Sequence, residues 1–125
     1  MARLIIDAMN VIGTRPTGWW RDIDGAVRDL VERLAEFADA TGHEITVVLD
    51  GRVPAGVDAP GLRIEAARRR GRNAADDRIV ELVESDAHPA TLTVVTSDRD
   101  LRARVQALGA QSAGPSSFLD QLDVV

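Results

Sequence analysis

Three short apolar runs each lead into an aspartate, and this pattern constrains the fold more than any other feature of the chain. The runs and their aspartates are residues 4–6 with Asp7, residues 46–49 with Asp50, and residues 92–96 with Asp98. Continuous apolar runs of this length are typical of strands that are covered on both faces in a parallel sheet. Because open α/β sheets bind ligands at the carboxyl ends of their strands, we expect the aspartates to line one functional edge.

Segments with helical periodicity alternate with these strands. We predict strands at residues 3–7, 44–49, 62–66, 92–96 and 110–113, and helices at residues 24–40, 74–85, 99–108 and 115–122. This alternation implies an α/β fold with a mainly parallel sheet and helices on both faces. With 125 residues, the chain fits a single domain over residues 1–125.

The segments between these elements give three further expectations. Residues 10–22 are predicted to form a loop because glycine and proline recur there. Asn73 is predicted to be the N-cap of the second helix, with Asp76 completing an arrangement like a capping box. The adjacent Trp19 and Trp20 have two interpretations: they cover the edge of the core, or they form a wall of a substrate cleft on which a base stacks.

Composition narrows the class of protein. The chain has no cysteine, which excludes disulfides and thiolate metal sites. Its first apolar run is too short for a signal peptide or a membrane span, so we expect a cytoplasmic protein with no membrane partner. The net charge is -5, yet all 15 basic residues are arginine. An arginine-rich genome and a need for bidentate phosphate contacts are both consistent with the missing lysines.

The densest basic segment lies just before the second predicted helix. It contains Arg68, Arg69, Arg70 and Arg72, and Arg99 follows Asp98 further along the chain. The segment is either a solvated loop or a contact with the phosphate backbone of a nucleic acid. Its place directly before an acidic helix start favours the second interpretation, and we assign these arginines to nucleic-acid binding.

Five aspartates are candidate ligands of one metal site, namely Asp7, Asp76, Asp77, Asp98 and Asp100. Asp7 and Asp98 should meet if their strands are neighbours, and the helix that carries Asp76 and Asp77 should begin at the same edge. Clustered carboxylates repel one another, and a hard divalent cation removes that penalty. Oxygen ligands without a histidine or cysteine cluster indicate Mg²⁺ or Mn²⁺ rather than zinc.

Such a site suits phosphodiester hydrolysis, because a bound metal polarises a phosphoryl oxygen and lowers the pKa of a bound water. Asn10 and Ser97 are polar neighbours that could orient a water or a carboxylate. Structural roles compete with these assignments. Asp76 and Asp77 also favour the dipole at a helix start, and Ser97 or Asp98 could cap the following helix.

Four motifs occur in a fixed order: IDAMNVI at residues 6–12, VLDG at 48–51, NAADDRI at 73–79 and VTSDRDL at 95–101, with further matches at 109–110 and 116–119. Together they resemble the NYN family of PIN-like ribonucleases, especially its YacP-like branch. The resemblance implies a PIN-like three-layer α/β/α sandwich and a metal-dependent endoribonuclease. By position, it makes Asp7, Asp76 and Asp98 the core acids.

The same resemblance makes Asp77 and Asp100 auxiliary acids and Asn10 and Ser97 polar support, and it leaves Asp50 without a role. Other α/β classes fit less well. A receiver domain needs a lysine, a haloacid dehalogenase phosphatase needs an aspartate where Met9 stands, and no glycine-rich phosphate loop follows the first strand. Two alternatives stay open: an RNA-binding or complex-assembly module with little or no cleavage, and a toxin-type PIN ribonuclease. A ribosome or another protein partner, and the oligomeric state, are also left open.

Overall fold

A parallel sheet forms the centre of the computed structural model, which describes residues 1–67, 71 and 73–124. Within these ranges its strands are β1 (Arg3–Asp7), β2 (Glu44–Leu49), β3 (Arg63–Ala66), β4 (Leu92–Val95) and β5 (Gln111–Ala113). Their order across the sheet is β3-β2-β1-β4-β5, and every pairing is parallel. The predicted α/β fold is therefore confirmed.

Helices cover both faces of this sheet. They are α1 (Ala8–Gly13), α2 (Ile23–Thr41), α3 (Ala74–Glu84), α4 (Arg99–Ala107) and α5 (Pro115–Asp123), with 3₁₀ turns at Trp19–Arg21 and Pro89–Thr91. Alternate residues of a strand point to opposite faces. Accordingly, Ile6 packs in the apolar cluster under α1, α2 and α5, whereas Ile5 packs in the cluster under α3 and α4. The sheet is thus the middle layer of three.

The helix α1 replaces part of the loop that was predicted at residues 10–22, so that prediction was wrong. Ala8 and Val11 are buried, and Met9 and Ile12 pack against the core from partly buried positions. The helix has six residues. Fewer than two turns leave too little sequence for a helical period to be visible, and the glycines and proline that follow dominated the pattern.

Asn73 does not cap α3, which corrects a second expectation. Its backbone is left-handed, with φ of 68°, and its side chain makes no capping hydrogen bond. Asparagine tolerates this conformation better than most residues, and a left-handed backbone is not the extended one that capping requires. The capping-box role of Asp76 is therefore wrong as well, and no capping duty occupies its carboxylate.

The remaining predicted boundaries agree with the structure to within one residue at each end. The order of the strands reverses at β1: β2 and β3 follow it towards one side of the sheet, and β4 and β5 lie on the other side. Crevices form outside the carboxyl ends of strands at such reversals. Across the described ranges, every helix falls short of the length and apolar character that a bilayer crossing requires.

Candidate active site

Asp7 lies at the reversal point, as the last residue of the central strand β1, and is 6% exposed. Its Oδ2 accepts a hydrogen bond of 2.8 Å from Oγ1 of Thr96, the fully buried residue that follows β4. The Thr96 Oγ1 in turn accepts a 3.2 Å hydrogen bond from the backbone N–H of Asp98. One hydroxyl therefore links the Asp7 side chain to the Asp98 backbone.

Asn10 and Ser97 join the two chain segments that leave this edge. The Asn10 Oδ1 accepts hydrogen bonds from the backbone N and from the Oγ of Ser97, at 2.9 and 3.1 Å. This contact fixes α1 against the turn between β4 and α4. Both residues were predicted to be polar neighbours of the acids, and the structure brings them together.

Asp76 and Asp98 face each other from the starts of two helices. Asp98 is the N-cap of α4, where its Oδ1 accepts a 3.1 Å hydrogen bond from the N–H of Leu101. Asp76, in the first turn of α3, lies close enough to Asp98 for the two carboxyls to hydrogen-bond. The capping role predicted for Asp98 is confirmed, and it coexists with a place in the acidic cluster.

The ionised forms of Asp7 and Asp76 are disfavoured in this cluster. Burial raises the pKa of Asp7 to about 6, and the charges of Asp76, Asp98 and Asp50 add to this effect, while the hydrogen bond from Thr96 opposes it. Burial also raises the pKa of Asp76, together with the charge of Asp98. Carboxyl groups that resist ionisation at one edge of a fold are frequent at functional sites.

An open cleft of about 390 Å³ lies beside this cluster, between α3 and α4. Its lining comprises Asn73, Asp76, Asp98, Asp100, Ala103 and Arg104. Arg104 binds Asp77 at 3.1 Å, and its charge lowers the pKa of Asp76. The cleft therefore places a guanidinium among carboxylates, an arrangement in which an anionic ligand has at least one cationic contact.

Sequence reasoning missed two residues of this site, Thr96 and Arg104. Thr96 was assigned to a strand, although a hydroxyl between a buried strand and an aspartate was a usable signal. Arg104 gave no signal, because its position in the cleft depends on how α3 and α4 pack.

The other predicted residues are more dispersed. Asp77 is engaged by Arg104, Asp100 is exposed on the cleft, and Arg99 is exposed at the first position of α4. Asp50 is exposed after β2, close enough to influence Asp7. The predicted RNA-binding residues Arg68, Arg69, Arg70 and Arg72 lie outside the described residues.

The acids suit a hard cation by their chemistry. In the part of the chain that the structure describes, no three histidine, aspartate or glutamate side chains stand in an arrangement that could coordinate an ion. However, Asp7, Asp76 and Asp98 offer only oxygen ligands, which Mg²⁺ and Mn²⁺ prefer. A bound cation would also offset the repulsion that contributes to the raised pKa values of Asp7 and Asp76.

The sequence and the fold are similar to those of a known protein family and of two solved structures. The family described as the YacP-like NYN domain matches residues 4–125. The Bacillus subtilis protein YacP is 26% identical over 130 residues, which cover 98% of this chain and 75% of YacP. A crystal structure of a mutant of Rae1 (YacP) from Bacillus subtilis has a TM-score of 0.80 at 25% identity, covering 99% of this chain and 76% of its own.

A second crystal structure of Rae1 (YacP) from Bacillus subtilis has a TM-score of 0.82 at 21% identity, over 99% of this chain and 75% of its own. This likeness shows the fold. The family match covers both the strand-end aspartates and the helices that carry the remaining acids. The chain therefore belongs to the YacP-like NYN domain family, a family of PIN-like nucleases.

Proposed function

We propose that this chain is a metal-dependent endoribonuclease that hydrolyses phosphodiester bonds within RNA. The observation that carries the proposal is the buried Asp7 at the reversal of the strand order, with Asp76 and Asp98 raising its pKa. Burying a carboxylate beside others of the same charge costs free energy, so such an arrangement is expected where a function requires it. Membership of a nuclease family supplies the class of reaction.

The residues of the site divide into three groups under this proposal. Asp7, Asp76 and Asp98 would hold Mg²⁺ or Mn²⁺ once their side chains turn towards a common point, with Asp77 and Asp100 as auxiliary acids. When bound, the cation polarises the phosphoryl oxygen and lowers the pKa of the attacking water. Thr96 keeps the Asp7 carboxylate in place through its 2.8 Å hydrogen bond, and the contact between Asn10 and Ser97 keeps α1 against the β4–α4 turn.

Arginines would hold the RNA backbone. Arg99 is exposed beside Asp98, and the sequence places Arg68, Arg69, Arg70 and Arg72 just before α3. Each phosphate contact contributes about 0.7 to the slope of log binding constant against log salt for a single strand. Replacing Arg68, Arg69 and Arg70 with alanine should therefore weaken RNA binding and flatten its salt dependence. An unchanged slope would identify the segment as a solvated loop.

Cleavage of labelled single-stranded RNA with Mn²⁺, Mg²⁺ or EDTA tests the proposal directly. We expect cleavage that requires the cation and that falls by more than about 100-fold in Asp7→Asn, which exceeds the usual cost of losing an outer-shell partner of a metal. The control is Asp39→Asn, which changes an exposed aspartate in the last two turns of α2, at the opposite edge of the sheet. RNA binding without cleavage in the wild type would favour the RNA-binding module instead.

A further inference from the structure

The two tryptophans of the chain occupy different environments. Trp19 is partly buried, and its Cζ2 lies 3.8 Å from where a Cβ on Gly13 would stand, at the end of α1. Trp20 is 56% exposed. The two rings meet edge to face, with centroids 5.9 Å apart and an interplanar angle of 86°. Trp19 thus lies against the end of α1 and contacts Trp20, whose own ring is largely exposed to solvent.

Trp20 lies at the same edge of the sheet as the acidic cluster. The helix α2 connects two parallel strands and therefore begins at the edge where β1 ends, and the 3₁₀ turn Trp19–Arg21 immediately precedes it. The six residues of α1, which follow Asp7 directly, span about 9 Å, and Trp19 lies against Gly13 at the far end of this helix. Trp20 stands on the α2 side of β1, whereas the cleft lies on the side of α3 and α4.

The surroundings of Trp20 combine exposed apolar surface with a cation. The Cζ atom of Arg21 lies 5.8 Å from the centroid of the Trp20 ring. Ile23 and Val53 are also exposed, and an ion pair of 3.1 Å between Asp24 and Arg52 ties the loop that carries Val53 to the start of α2. A flat aromatic ring beside a guanidinium is the combination that binds unstacked nucleobases.

The charges near Trp20 also suit a polyanion. Asp22 accepts a hydrogen bond from the N–H of Gly25 as the cap of α2, and Asp24 is paired with Arg52. Arg21, by contrast, makes no ion pair within the described ranges, so its positive charge is available to a phosphate. A second copy of this chain would bring a second Arg21 to the same surface, and this repulsion disfavours self-association there.

We propose that Trp20 stacks on a nucleobase of single-stranded RNA whose backbone crosses from the α3–α4 cleft over Asp7. The inference rests on the proposed function and adds a preference for unpaired RNA. Bases in a duplex are already stacked on their neighbours, whereas those of loops and single strands can be splayed onto an aromatic side chain. The stacked base lies a few nucleotides from the bond that is cleaved.

Intrinsic fluorescence provides a direct test, because the chain has two tryptophans and no tyrosine. In EDTA, an eight-nucleotide oligouridylate should quench the emission of the wild type and of Trp19→Phe, which retains Trp20. It should not quench Trp20→Phe, which retains only Trp19. A hairpin with a fully paired stem and a minimal loop should quench none of the three proteins appreciably.

Affinity provides the second arm. Losing one base–aromatic stack weakens binding by roughly 5- to 150-fold, and we expect Trp20→Leu to do so without changing the salt slope, since no phosphate contact is removed. Trp20→Phe should restore most of the affinity. Val124→Ala is the matched control, because Val124 is an exposed apolar residue just after the C-terminal end of α5.

Three results would overturn the inference: equal affinities of Trp20→Leu and the wild type, quenching that persists in Trp20→Phe, or a doubled mass without RNA that Trp20→Leu abolishes. The last result would mean that the surface around Trp20 binds a second copy of this chain. Because binding is measured in EDTA, it is independent of cleavage. Quenching without cleavage in Mn²⁺ would refute the nuclease proposal alone. Cleavage in Mn²⁺ combined with any of these three results would refute this inference alone.

Discussion

At the scale of single residues, the Thr96 hydroxyl has the most consequences for the site. It is fully buried, donates to Asp7 and accepts from the N–H of Asp98. Burial raises the pKa of Asp7, and the hydrogen bond from Thr96 counteracts this effect. Thr96 therefore favours the ionised Asp7 that a cation requires.

Replacing Thr96 with valine tests this role. Thr96→Val should raise the pKa of Asp7 further above about 6 and should lower the free energy of unfolding by about 1–3 kcal/mol, since two buried groups lose their partner. The pKa is measured by NMR titration of the Asp7 carboxyl carbon in metal-free protein. Thr96→Ser retains the hydroxyl and should behave like the wild type. If it titrates like Thr96→Val, the methyl group rather than the hydroxyl matters.

At the scale of secondary structure, the strands and the long helices were predictable because each bears a complete pattern. An apolar run of three to five residues marks β1, β2 and β4, and α2 has enough turns to display a helical period. The helix α1 is too short to do so. Asn73 is a residue type that often caps helices, but asparagine also tolerates the left-handed backbone that it adopts here, so residue type alone does not predict the outcome.

The same division applies to the site. The convergence of Asp7 and Asp98 follows from strand order, and the sequence contains enough strand and helix signals to predict it. The hydrogen bond from Thr96 and the position of Arg104 in the cleft depend on side-chain directions after packing. No local pattern encodes these directions, which is why both residues were missed.

A partly buried ion pair connects β3 with the helix that carries Asp76. Arg78 Nη2 lies 3.1 Å from Glu65 Oε2, and the two side chains are 9% and 19% exposed. Arg63 also binds Glu65. Burial raises the pKa of Glu65, but hydrogen bonds from Arg78 and Arg63 outweigh it, so the pKa is lowered. The pair therefore fixes α3 against the edge of the sheet while both groups are charged.

Breaking this pair on one side should be costly. Arg78→Met leaves Glu65 partly desolvated with a single partner, and we expect a loss of about 3 kcal/mol in the free energy of unfolding, measured with urea. Arg52→Met, which removes the exposed pair with Asp24, should cost less than about 1 kcal/mol. The double variant Glu65→Leu/Arg78→Met should recover part of the loss. An additive loss would show that the two side chains do not act as a pair.

At the scale of the whole molecule, the acidic cluster at the carboxyl end of β1 lowers the stability of the metal-free fold. The reversal of the strand order gathers Asp7, Asp76 and Asp98 at one end of the sheet. Parallel strands covered on both faces make the end of β1 a dry environment, so its carboxylate is poorly solvated. The topology that creates the site thus also makes the metal-free site electrostatically unfavourable.

This electrostatic cost predicts an unusual pH dependence. The folded pKa of Asp7, about 6, exceeds the unfolded value of 3.8, so the folded state binds the proton more tightly. The resulting stabilisation is fully present below a pH of about 4 and is lost as pH rises through about 6. This difference between the folded and unfolded pKa values corresponds to about 3 kcal/mol in the free energy of unfolding.

Comparison of wild type and Asp7→Asn isolates this contribution from those of other carboxyl groups, such as Asp86, whose pKa is lowered by its hydrogen bond from Arg3. Unfolding in urea with EDTA should show Asp7→Asn gaining about 3 kcal/mol relative to the wild type between pH 4 and pH 7.5. Asp39→Asn should show no such gain. The opposite result would be a difference in the free energy of unfolding between wild type and Asp7→Asn that is constant across this pH range. It would mean that Asp7 is as easily ionised in the folded chain as in the unfolded one, so a cation at this edge would have no electrostatic cost to relieve.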